Sequence, residues 1–150
     1  MDYQVVFPDE DGVLSFTIQQ GTMTKKVIGK QALVQIVYVE LLKTPGQDIL
    51  SPTDGGGVIS MAGGYNIGVE EQSEVYADIT SRVRIVEKQI LSDQINKNLL
   101  SSEKLQRLTV RSVNTIDGNP TQYAVEIDII SADENITSPV VMISQNAITI

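Results

Sequence analysis

The sequence predicts an α+β fold: two main helices packed on a small, mostly antiparallel sheet, with extended terminal strands. Three observations carry this expectation. An apolar stretch over 30–43 runs into Thr44-Pro45-Gly46, and a longer segment over 70–98 repeats apolar residues at helical spacing. Two alternating segments, 105–116 and 122–130, then flank Asp117-Gly118-Asn119-Pro120. The chain has 150 residues, 41% of them hydrophobic. That length fits one domain, 1–150, and suffices for a real core.

The first elements are short. Residues 3–7 are apolar and β-prone, the acidic turn Pro8-Asp9-Glu10-Asp11-Gly12 follows, and 13–19 alternate. Two strands around a turn are expected there. Over 30–43, Leu33, Ile36, Val37, Glu40 and Leu41 fall on helical spacing, although Val37, Tyr38 and Val39 are poor helix formers. The run VQIVYVELL alone also reads as a buried strand. Length and the Pro45-Gly46 stop favour a helix ending near Thr44, because a residue before proline resists the α region.

Residues 47–66 are rich in Pro, Asp and Gly and predict a long loop, disordered in the isolated protein or anchored on a partner. The next helix is expected over 70–98. Val75, Ile79, Val83, Val86 and Ile90 form its apolar stripe, and Glu70, Glu71 and Glu74 suit its dipole. Such a helix spans about 40 Å, so it crosses the whole body or projects from it. In the hairpin, Tyr123, Val125, Ile127 and Ile129 face one side while Glu126 and Asp128 face the other. The tail, Val140-Val141-Met142-Ile143 and then Ala147-Ile148-Thr149-Ile150, is too apolar to stay in solvent and is expected to pair, either within the chain or on another one. Residues 1–12 and 135–150 therefore read as extended pairing arms.

Composition narrows the chemistry. A net charge of −8 argues against gripping nucleic acid, which needs clustered Lys and Arg. Arg82, Arg84 and Lys88 share a helix with Asp78 and Glu87 and read as a solvated face. With no cysteine and no histidine, thiol chemistry, disulfides, histidine base catalysis and most transition-metal sites drop out. No signal peptide and no membrane span are expected, and a soluble protein is.

Candidate sites fare poorly one by one. Gly55-Gly56-Gly57 lacks the preceding strand and the Lys-Ser/Thr of a phosphate loop, and Asp54 repels phosphate. Glu70, Glu71 and Glu74 are the best carboxylates for glycoside hydrolysis, but a helix start already explains them, and there is no Trp to stack on sugars. Asp48 and Asp54 lack the acidic spacing of a calcium loop, and Ser51 and Ser60 have no histidine to activate them. No enzyme activity, metal or cofactor is expected.

Against that background the stretch ending Leu41-Leu42-Lys43-Thr44-Pro45-Gly46 resembles one family. These are the small baseplate wedge proteins of contractile phage tails and related injection systems, which start sheath assembly. The matching residues are Gln35, Leu41, Leu42, Thr44, Pro45, Gly46, Pro52, Asp54 and Gly55, and the order of elements corresponds over about 13–130. Where the family often carries Glu-Pro-Arg, this chain has Lys104-Leu105-Gln106-Arg107, so only Arg107 stands as a counterpart.

The resemblance implies a structural virion protein of the tail baseplate, assembled in the host cytoplasm in six copies per particle. Its implied partners are other wedge proteins, the tail sheath and the tail tube, with no nucleic acid and no membrane. It also implies that sheath assembly starts by β-augmentation through terminal strands. The residues assigned to partners are Tyr3, Val5, Val140, Val141, Met142, Ile143, Ile148 and Ile150, with Thr44, Pro45, Gly46 and Arg107. Rival readings are a peptidoglycan hydrolase, an adaptor outside the virion, and another tail part such as a tube-end or sheath-terminator protein.

Overall fold

A computed structural model describes residues 28–58 and 72–144 of the chain. Helix α1 is Lys30–Leu42 and helix α2 is Gln72–Gln94. Strands follow as β1 Leu105–Ile116, β2 Asn119–Ser131, β3 Ile136–Thr137 and β4 Val140–Ser144. The expected α+β class holds: two helices lie on a four-stranded antiparallel sheet. The expected strands over 3–7 and 13–19 fall outside the described residues.

Helix α1 forms despite its β-branched residues because one side of it is wholly buried. Leu33, Val34, Val37, Tyr38 and Leu41 recur at steps of one, three, one and three, a helical stripe that a strand cannot hide on one face. Burial pushes the Tyr38 phenol above its ordinary pKa. Helix α2 contributes Val75, Ile79, Val83, Val86 and Ile90, all 3% exposed or less. The predicted stripe is thus the core, and the helix is shorter than expected. It spans about 35 Å and stops at Gln94, whose side chain accepts from the Leu105 N–H and donates to the Glu103 carbonyl.

The hairpin turn has two residues, Asp117 and Gly118, with φ of 51° and 69°. Both signs suit the tight turn whose twist matches paired strands. Asn119 and Pro120 therefore begin β2 rather than complete a four-residue turn. Irregular steps at Leu105/Arg107, Val110/Ser112 and Thr115/Ile116 interrupt the β1–β2 register.

On β2, Tyr123, Val125, Ile127 and Ile129 are buried, as their alternation predicts. Glu126 and Asp128 point outward and share Arg111, at 3.1 and 3.3 Å. Strands β3 and β4 lie end to end along the free edge of β2. Ile130 faces Ile136, Ile129 faces Thr137 and Glu126 faces Val140, so one register continues through Ser138-Pro139. Of the two pairings open to the arm over 135–150, within the chain or on another, its described part takes the first: β3 and β4 belong to the domain's own sheet.

Candidate partner-binding site

The stretch after α1 is a folded cap. Three consecutive N–H groups, of Gly56, Gly57 and Val58, donate to the carbonyls of Glu40, Lys43 and Leu41 at 2.8–3.1 Å. These are carbonyls that a helix end leaves without internal partners. Approach this close needs glycine. A Cβ on Gly55, where φ is +112°, would lie 2.2 Å from the Lys43 carbonyl oxygen, and one on Gly56 would lie 3.0 Å from Val86 Cγ2.

Helix α2 clamps the same loop. Arg82 Nη1 donates to the Gly56 and Gly57 carbonyls, both at 3.0 Å, while Asp78 holds its Nε. Gln89 accepts from the Gly55 N–H and donates to the Thr53 carbonyl. Two expectations are corrected here. Residues 47–58 of the long loop are ordered on the protein's own helices, and Arg82 is a clamp instead of part of a solvated face.

Within this loop Thr44 is half-buried while Pro45 and Gly46 are exposed. The Gly46 N–H donates to the Pro52 carbonyl at 2.8 Å and closes the neck. Beyond it, Asp48 accepts from the Leu50 N–H and pairs with Lys43, at 3.5 Å. The Leu50 N–H, with Lys43 beside it, holds the Asp48 carboxyl below the usual range. Ile49 and Leu50 stand at the tip, each 93% exposed.

The two sheet edges differ. On β1, the outward Leu105 and Leu108 N–H groups donate to Gln94 and Glu87, and the Val110 carbonyl accepts from the Tyr76 hydroxyl. Helix α2 thereby caps the first half of that edge, 105–110, with side chains. Glu87, expected to be a solvated acid, is spent on it. Arg107 sits exposed beside this edge and, with Tyr76, Arg84 and Glu87, lines a cleft of about 360 Å³.

The opposite edge is β3–β4. The Pro139 carbonyl accepts from the Ile127 N–H, so residue 139 directs its backbone toward β2. Alternation then directs the backbone of Val140, Met142 and Ser144 away from β2. Among the described residues no second strand takes those groups. Side chains alternate too: Val141 is 3% exposed and in the core, whereas Met142 is 57% exposed. Val141, assigned to a partner from sequence, is corrected to core. Ile143 pairs in the backbone with Tyr123. Tyr3, Val5, Ile148 and Ile150 fall outside the described residues.

Glu74 lies exposed in the first turn of α2, and Glu70 and Glu71 are outside the described residues. Among the described residues no three acidic side chains gather as metal ligands, and no helix is long and apolar enough to cross a membrane. Sequence reasoning missed Arg82, Gln89, Tyr76, Glu87 and Gln94, the residues that fix the loop and close one edge. Their only sequence signal is a polar flank on either side of the apolar stripe. Comparison with protein-family models, curated proteins and solved structures returns no match.

Proposed function

We propose that this chain is a structural component of a contractile-tail baseplate that starts sheath assembly by lending an open sheet edge to a sheath strand. The observation that carries the reading is the asymmetry of the sheet. Tyr76, Glu87 and Gln94 cap one edge over 105–110, while the other directs backbone from Val140, Met142 and Ser144 that no second strand takes among the described residues. An open edge is a template for strand addition, and proteins ordinarily blunt such edges unless they use them. The resemblance in residues 35–55 supplies the setting, and the order helix, loop, helix, hairpin agrees with it.

The sequence reading has 140–150 pairing with a sheath subunit, and β4 now occupies the domain's own sheet over 140–144. The strand now acts in place as the acceptor edge. Deleting 138–150 would remove Val141 from the core and test folding instead of pairing. Met142→Pro is the sharper variant, because it removes an outward N–H and leaves the ladder to β2 intact. Baseplates carrying Met142→Pro are expected to assemble and to lose sheath polymerisation. Normal sheath growth on them would overturn the proposal.

A further inference from the structure

The hairpin turn between β1 and β2 carries a reactive dipeptide. We infer that Asp117-Gly118 is a site of spontaneous isoaspartate formation, while Asp54-Gly55, the same dipeptide in the loop after α1, is protected by the fold.

The reaction uses only these two residues and water. The Gly118 backbone nitrogen attacks the side-chain carboxyl carbon of Asp117 in its protonated form. A C–N bond forms, the carboxyl C–O bond breaks, and the hydroxyl leaves with the amide proton as water. Water then adds back to the five-membered imide. Opening at the side-chain carbonyl restores aspartate. Opening at the main-chain carbonyl gives isoaspartate, whose backbone runs through the former side chain. Glycine favours the closure because no Cβ crowds its nitrogen.

What the step requires is open at the turn. Asp117 and Gly118 are both exposed. Among the described residues, the Asp117 carboxyl has no hydrogen-bond or ion-pair partner, and the Gly118 N–H has no acceptor. Ring closure also needs the Asp117 backbone to rotate, and little holds it. Its φ of 51° is a left-handed conformation that a non-glycine residue adopts at a cost. Between the register shift at Thr115/Ile116 and the turn, only Ile116 and Asn119 are paired. A hairpin end held by one pair opens far more readily than the core it leads to.

Asp54-Gly55 has none of this freedom. Gly55 is buried, and its N–H donates to Gln89 Oε1 at 3.1 Å. The Lys43 carbonyl packs so closely that a Cβ on Gly55 would lie 2.2 Å from its oxygen. Neither the attack nor the rotation occurs without releasing the loop from α1 and α2. Losing that hydrogen bond and that packing makes conversion at Asp54 at least about tenfold slower.

The product changes the turn. A two-residue hairpin loop fixes the register and twist of its strands, and isoaspartate adds one backbone carbon to it. The Ile116/Asn119 pair is expected to open, while Val113/Val125 and the pairs beyond it stay. The site stands independently of the baseplate reading.

The test is storage of the purified protein at neutral pH and physiological temperature in water enriched in heavy oxygen, then peptide mapping in ordinary water. Each imide that reopens keeps a heavy oxygen, whichever way it opens. An isoaspartyl methyltransferase with labelled S-adenosylmethionine counts the isoaspartate in each isolated peptide. The peptide holding Asp117 is expected to gain both labels at least about ten times faster than the one holding Asp54. In denaturant the two are expected to react at similar rates. Asp117→Gly leaves a Gly-Gly pair that suits the same turn, so it should fold unchanged and lose the reaction in its peptide. A third such dipeptide, Asp11-Gly12, lies outside the described residues and is read in its own peptide. Equal rates at Asp117 and Asp54 in the folded protein would overturn the inference. So would a turn peptide that stays unlabelled while the denatured chain reacts, or a contrast that persists in denaturant.

Discussion

Gly55 shows how much a single missing methyl group decides. Its φ of +112° and the 2.2 Å approach of the Lys43 carbonyl combine backbone strain with a clash against backbone that cannot swing away. Gly55→Ala is expected to cost about 3 kcal/mol, read as a fall in Tm of about 10 °C. Gly46→Ala is the control: φ is +90° but the space is open, so about 1 kcal/mol is expected. Glu40 gives the pH counterpart. Burial raises its pKa, Lys43 opposes the shift, and Asp54 and Asp93 add to it. A carboxylate whose folded pKa exceeds the unfolded one destabilises at neutral pH. That penalty fades as pH falls through the folded value toward the unfolded one. Glu40→Gln should therefore raise Tm modestly at pH 7, with the gain shrinking through the acidic range. An equal gain at all pH values would refute the electrostatic cause.

At the scale of elements, the glycine segment acts as a C-terminal cap that also joins two helices. Arg82 is the tie, with two carbonyl acceptors at 3.0 Å and a side chain only 28% exposed. Arg82→Met is expected to cost about 2 kcal/mol and to speed hydrogen exchange at Gly56, Gly57 and Val58 before that of α2. Uniform acceleration throughout would mean the clamp is not local. The elements themselves were legible in the sequence where periodicity was strong. The stripe from Val75 to Ile90 and the alternation from Tyr123 to Ile129 name the core because helix and strand periods leave few other faces. The α1 region was ambiguous, since VQIVYVELL satisfies both periods over a short span. Tertiary burial of Leu33, Val37 and Leu41 decides it. The loop was misread because capping is a contact between residues 40–43 and 56–58, and composition carries no trace of such closure.

At the scale of the molecule, the sheet has one edge capped by α2 over 105–110 and one that no further strand covers among the described residues. That contrast was illegible in the sequence. The tail showed only that 140–143 are apolar, and an apolar strand pairs equally well within a chain or between chains. The continuous register with β2, visible in the pairs Ile130/Ile136 and Glu126/Val140, assigns it to its own sheet. The polar residues that close β1 look in sequence like any solvated helix flank. The functional account rests on that contrast, and its most direct measurement is a density map of the assembled tail. The account predicts a sheath strand beside β4, hydrogen-bonded to the backbone of Val140 and Met142, with Val141 still in the core. A map in which that edge faces solvent or another protein, while the sheath begins elsewhere, would contradict it.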